Sequence, residues 1–469
     1  MVSISEYIFG IKGLDKLLQG ALYPRTTLVI AGHPGAGKTT LATAICYSNA
    51  RHNKKCLYIS FQEPKAKLYR VMKNLGMDLE DLEKKGLFKF VNLPIAASCE
   101  IIADTINKLL IEYKPDIVVI DSINAVLESK KDPEKRAWLQ NYLYQLSSVT
   151  NGLAVIISEL PYGEEKLRIG AIEFVSDILV ILKHYVRGGK LARILEIRKV
   201  RGVPVKVTEV PFQITEGIGV RVLIPPILRE IKGIRKPYKF TMPVFKDHIG
   251  EVYSDESVLI VRPSYARLIY PVFGLMDLVL TNNLKVLLVS YRYSVEDLYS
   301  ILRDVLSEVF EDRGLVDRIL KDHFMFEAFN PYGASIEELY MIEMELVEKY
   351  DPDVVVFHGV DLLVPEIRIN PYRYYDSLVN QLYHLKSMGK LVVRVSNYIN
   401  KEQFRMYASL ADIVMRVFMR RAEEGLEPYV YIWRRDKMPV ILRLREILNN
   451  IKDFLPKYKD LIKERISKH

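Results

Sequence analysis

The stretch Gly32-His33-Pro34-Gly35-Ala36-Gly37-Lys38-Thr39-Thr40 constrains this chain more than any other. It fits the pattern G-x-x-x-x-G-K-[ST], a loop whose backbone N–H groups turn inward to cradle phosphates. Glycine permits that turn because no Cβ stands in the way. Lys38 carries a point charge to the β- and γ-phosphates, and the Thr39 hydroxyl is placed to ligate Mg2+. Residues 26–31 before the loop form an apolar run of strand length. Residues 41–45 after it read as a helix whose N-terminus adds its dipole to the anion site. Strand, loop and helix in that order make a nucleotide, with ATP and Mg2+ as the expected pair, the first ligand to consider.

At 469 residues the chain is long enough for two or three domains, and with 49% apolar residues it is globular. Charged residues interrupt every strong apolar stretch, so no membrane span is expected. No basic segment followed by an apolar one opens the chain, so no signal peptide is expected. Cys46, Cys56 and Cys99 have no metal-like spacing, and their odd number suits a reduced cytoplasm. The net charge is +9, with about +8 of it before residue 231. No dense basic stripe with interleaved aromatics accompanies it, so nucleic-acid binding is not favoured.

Four apolar runs, residues 26–31, 56–61, 117–122 and 153–158, read as buried strands alternating with amphipathic helices. That alternation predicts a mainly parallel sheet covered on both faces. Residues 177–182, 192–199 and 205–210 read as strands added at its edge. A linker is expected at 225–240, where proline and basic residues gather. Beyond it the chain repeats. Tyr113-Lys114-Pro115-Asp116-Ile117-Val118-Val119-Ile120 returns as Tyr350-Asp351-Pro352-Asp353-Val354-Val355-Val356-Phe357, and Ser176-Asp177-Ile178 as Ala411-Asp412-Ile413. The expected organisation is 1–224, a linker, 241–446, and a basic C-terminal helix over 447–469.

The chemistry is absent from the second half. Gly32, Gly37, Lys38 and Thr39 give way to Arg262, Arg267, Leu268 and Ile269, Glu63 to Tyr293, and Asp121 to His358. The alternative is that Arg262 and Arg267 bind phosphate in another geometry. In the first half, phosphoryl transfer asks for a phosphate clamp, Mg2+, an aligned water and late positive charge. Asp121 ends a buried strand expected beside the loop strand, where an acid can hold the metal's hydration shell or cap a helix. Glu63 ends another, where it can align water or merely precede Pro64. Arg198, Lys199 and Arg201 are either a solvated strand edge or a cationic finger toward a neighbour.

These residues resemble the KaiC-like branch of the RecA/RadA ATPases, from Gly10-Ile11 and Gly13-Leu14-Asp15, through the loop, to Ile197-Arg198-Lys199-Val200-Arg201-Gly202. The resemblance implies two tandem RecA-like α/β domains, the second degenerate, with ATP held between adjacent subunits of a hexameric ring or related assembly. The family's paired catalytic glutamates fall on Gln62 and Glu63, which implies slow hydrolysis. Its trans-acting Lys-x-Arg falls on Lys199 and Arg201, with Arg434 and Asp436 expected in their place in the second half. The expected role is a regulatory or signalling ATPase with a protein partner. The alternatives are a RadA-like recombination ATPase and an assembly scaffold with negligible hydrolysis. Glu164 and Glu165 in the 160–172 loop oppose DNA binding.

Overall fold

The computed structural model describes residues 7–130, 132–161, 175–187, 190–205, 207–222, 235–264, 269–363, 371–422 and 425–467. The chain folds as two compact units, Met1–Ile227 and Leu228–His469. The 160–172 loop beyond Pro161, residues 225–234 of the expected linker, and Arg267 and Leu268 lie outside the described residues.

In the first unit the strands are β1 (Thr27–Gly32), β2 (Cys56–Ser60), β3 (Phe88–Asn92), β4 (Ile117–Asp121), β5 (Leu153–Glu159), β6 (Ile178–Arg187), β7 (Lys190–Val200), β8 (Glu209–Thr215) and β9 (Gly219–Val222). They form one sheet in the order β3-β2-β4-β5-β1-β6-β7-β8-β9. The strands from β3 to β6 run parallel, and β7, β8 and β9 continue antiparallel. Central strands such as β1, β4 and β5 are apolar on both sides because each face is covered. Leu28 and Ile30 belong to one core, Val29 and Ala31 to the other. The helix Lys65–Asn74 is followed by Gly76 in a turn conformation (φ +84°). Asp78 then caps a separate helix, Leu79–Lys84. Strands β3 and β9 add to the expected set, and the last expected edge strand, 205–210, is instead β8, which begins at Glu209.

In the second unit a short ribbon of β10 (Pro237–Tyr238) and β11 (Val252–Tyr253) precedes β12 (Ser257–Arg262), β13 (Val286–Ser290), β14 (Phe324–Ala328), β15 (Val354–His358), β16 (Leu391–Asn397), β17 (Ile413–Ala422), β18 (Gly425–Arg434) and β19 (Lys437–Arg443). The sheet order β14-β13-β15-β16-β12-β17-β18-β19 matches the first unit strand for strand up to β8. The fold is therefore α/β, with two mainly parallel sheets flanked by helices. The match extends to single bonds. Lys55 N donates to Asp116 Oδ2 at 2.7 Å, and Lys285 N to Asp353 Oδ2 at 2.9 Å. Thr27 N donates to Asp177 Oδ2, and Ser257 N to Asp412 Oδ2, both at 2.9 Å. Lys114 (φ 50°) and Asp351 (φ 43°) end equivalent helices in the left-handed conformation. The last helix, Leu444–Ser467, is not an appendage. Its Leu444, Ile447, Ile451, Tyr458 and Ile462 are buried in the core of the second unit.

Candidate nucleotide site

The expected phosphate loop joins β1 to the helix Lys38–Ala50. Two glycines show why their positions tolerate nothing else. A Cβ on Gly32 would stand 2.3 Å from the Leu182 carbonyl oxygen of β6, and Gly37 holds φ at +102° just before the helix. His33 N donates to that same Leu182 oxygen at 3.2 Å, and Ala36 N donates to His33 O at 3.1 Å, which closes the turn. His33 is buried with its ring edge-on to His184, 5.9 Å between centroids. Pro34 and Gly35 are exposed, Ala36 is buried, and Thr40 is buried in the first turn of the helix.

Lys38 is buried, and its ammonium sits between two acceptors. One is the His33 carbonyl oxygen at 3.0 Å, the other Glu159 Oε2 at 2.9 Å. Glu159 ends β5, the neighbour of β1, and was not among the site residues read from the sequence. Its signal was available only as a carboxylate at the end of a buried strand.

Asp121 also reaches the loop. Thr39 Oγ1 donates to Asp121 Oδ2 at 2.9 Å, and Tyr58 OH donates to the same oxygen at 2.6 Å. The strand that carries Asp121 is not next to the loop strand, as sequence reasoning had it, because β5 lies between β4 and β1. The carboxylate bridges that gap from the strand end. Burial pushes its pKa up, the bonds from Tyr58 and Thr39 pull it down, and the charges of Glu63 and Glu159 raise it further. A hydroxyl and a carboxylate oxygen converging in an acidic setting are hard donors that suit Mg2+. Among the described residues no group of three His, Cys, Asp or Glu is arranged to hold a metal alone.

Glu63 follows β2, close enough to Asp121 to influence its charge. Its carboxylate is paired with Lys67 at 3.0 Å, while its backbone is pinned by Ser60 Oγ and Asn92 Nδ2. Gln62 beside it is exposed.

Lys199 and Arg201 are not brought to this loop. They lie where β7 ends, at the edge of the sheet where β1 begins, roughly 17 Å away by strand rise. Arg201 N donates to Asp177 O at 2.9 Å, and Arg201 Nη1 to Asp177 Oδ1 at 2.8 Å. Burial, and then the Arg201 charge, lowers the Lys199 pKa. The register here carries a bulge. Val180 pairs with Ile197 but Leu179 pairs with Lys199, so Arg198 is the extra residue. In the second unit Val414 pairs with Trp433 and Ile413 with Arg434 without that insertion. The counterparts of Lys199 and Arg201 are therefore Trp433 and Arg435, not Arg434 and Asp436. Arg435 N donates to Asp412 O at 3.1 Å, just as Arg201 does to Asp177.

The second unit's strand ends are remade. Arg292 forms an ion pair with Asp361, Tyr293 stacks on His358 with centroids 5.4 Å apart, and Arg262 is buried at the end of β12.

Residues 8–226 match the family model described as "ATPase: KaiC". Over 231 residues the chain is 29% identical to the circadian clock protein KaiC3 of Synechocystis sp., covering 46% of this chain and 45% of that one. Over 195 residues it is 30% identical to the circadian clock oscillator protein KaiC of Picosynechococcus sp., covering 41% and 38%. The chain thus aligns with less than half the length of these curated relatives.

Proposed function

Residues 8–226 are a KaiC-like ATPase domain of the RecA superfamily, and from that premise we propose that the chain binds ATP with Mg2+ there and hydrolyses it slowly. The observation that carries this reading is the meeting of Thr39 and Asp121 beside a buried Lys38. Lys38 and the loop N–H groups would hold the phosphates, while Thr39 and Asp121 would hold the ion. When bound, Mg2+ neutralises charge on the transferring phosphate. Glu63 is the base that aligns water, and slow turnover follows from Gln62 in the adjacent position and from the Lys67 partner that Glu63 must release.

Lys199 and Arg201 sit a strand length from their own loop, so they serve a neighbouring copy. This supports a homo-oligomer, as a ring of six, in which nucleotide state is passed to a protein partner. The three free, buried cysteines suit a reducing cytoplasm. Among the described residues no helix is long and apolar enough to cross a membrane. Steady-state phosphate release with and without Mg2+ tests the reading. A second reading, an ATP-binding scaffold without useful hydrolysis, is favoured by Gln62 and by the Glu63–Lys67 pair, and the same assay showing binding without release would select it. A salt-dependent DNA titration tests the recombinase alternative.

A further inference from the structure

We propose that Tyr58 is a positioning residue for the metal site, acting through Asp121; the proposal rests on the Mg-dependent ATPase reading above. Tyr58 is fully buried in the middle of β2. Its ring stacks on Phe90, with centroids 5.9 Å apart and planes 16° apart, and leans on Phe88. Tyr69 meets the same shelf edge-on. From this fixed platform the hydroxyl donates 2.6 Å to Asp121 Oδ2, the oxygen that also accepts from Thr39. The Thr43 side chain lies against that hydroxyl and donates to the Thr39 carbonyl, which ties the tyrosine to the first turn of the loop helix.

A buried carboxylate with two hydroxyl donors on one oxygen has one orientation, and its other oxygen is left for the hydrated ion. Partners of this kind orient metal-binding groups, and losing one costs about 10–100-fold in metal affinity or activity.

The second unit separates this role from packing. Its shelf persists. Phe324 and Phe326 stack at 5.9 Å, and Tyr299 meets Phe326 edge-on as Tyr69 meets Phe90. The residue over the shelf is different. In register, Tyr58 is replaced by Leu288, and the same unit has His358 for Asp121 and Ile269 for Thr39. The hydroxyl is absent where its two partners are absent, while the aromatic bed stays.

The test uses the full chain with a non-hydrolysable ATP analogue and Mn2+ as the probe. Calorimetry gives nucleotide affinity in EDTA, and electron paramagnetic resonance gives Mn2+ affinity and line shape in the nucleotide complex. Tyr58→Phe keeps the ring on Phe90. It is expected to leave metal-free nucleotide affinity within twofold, to weaken Mn2+ about tenfold and to broaden its spectrum. In an Asp121→Asn background the same change is expected to add nothing, since both act on one contact. Unchanged Mn2+ affinity and line shape, equal losses with and without metal, or full additivity with Asp121→Asn each overturn the role. A native chain that binds no nucleotide in EDTA or Mn2+ overturns the ATPase reading itself, an outcome seen without any variant.

Discussion

Glu159 Oε2 lies 2.9 Å from Lys38 Nζ, so the cation proposed to meet phosphate is engaged by a carboxylate of the adjacent strand. A nucleotide must displace that carboxylate. Glu159 is partly exposed, which keeps the pair in the range of about 0.5–1 kcal/mol. Glu159→Gln is therefore expected to tighten ATP binding roughly two- to fivefold, and Lys38→Ala to abolish it. Fluorescent-nucleotide titration of both variants decides, and weaker binding by Glu159→Gln would show the carboxylate assisting the site.

Asp121→Asn removes the charge while keeping the shape. Turnover is expected to fall about 100-fold or more and metal-free ATP affinity to change little, because the carboxylate faces the ion's side of the site. Phosphate release and calorimetry in EDTA separate the two.

One nucleotide is expected per chain. The second unit presents Arg262, His358 and Ile269 where the first has Gly32, Asp121 and Thr39. Calorimetric stoichiometry near two, or nucleotide beside Arg262, would refute this.

Arg201 has a partner within its own chain, Asp177, and Arg435 makes the same backbone bond to Asp412 in a unit without a phosphate loop. A purely structural role predicts similar effects at both arginines. The trans role predicts that Arg201→Ala or Lys199→Ala lowers turnover by about 100-fold or more with ATP binding intact, whereas Arg435→Ala leaves turnover unchanged. Mixing Arg201→Ala with Lys38→Ala chains restores activity at interfaces that join an intact loop to an intact finger. Mixed assemblies as inactive as either parent would reduce the pair to a strand edge.

Two buried groups of the second unit oppose each other in pH. Burial, then the Arg262 and Arg292 charges, lowers His358 from 6.5 to about 4. Burial raises Glu343 from 4.5 to about 7, against bonds from Tyr291 and Gln381 and the charge of Arg394. The unfolded chain binds more protons at His358, so that stability is present above pH 6.5 and lost as pH falls toward 4. The folded chain binds more protons at Glu343, so that stability is present below pH 4.5 and lost as pH rises toward 7. Each is worth roughly 3 kcal/mol, and they offset between about pH 4.5 and 6.5. Relative to the native chain, His358→Gln is expected to lose stability as pH rises through that window and Glu343→Gln to gain it. Trp433 fluorescence in a Trp138→Phe background reports the second unit. Parallel pH profiles would refute the pairing.

The phosphate loop, Asp121 and the duplicated sheet were legible in the residues because each depends on local spacing. Glu159 was not, since its meeting with Lys38 requires β5 to slot between β4 and β1. Tyr58 looked like one more apolar strand residue, and only the third dimension puts its hydroxyl on Asp121. The counterparts of the finger were missed by one place. A bulge at Arg198 adds a residue with no mark in the composition of the strand.

The order of strands around β1 also sets a schedule. Thr27 N donates to Asp177, a partner 150 residues later, and Leu28 pairs with Val155 on one side and Ile178 on the other. At about 5–20 residues per second, a ribosome needs roughly 8–30 s to supply those neighbours. Until then the newly made phosphate loop has no sheet beneath it. ATP can act as a ligand of the native first unit, but it cannot guide the earliest collapse of the segment that carries its own binding motif.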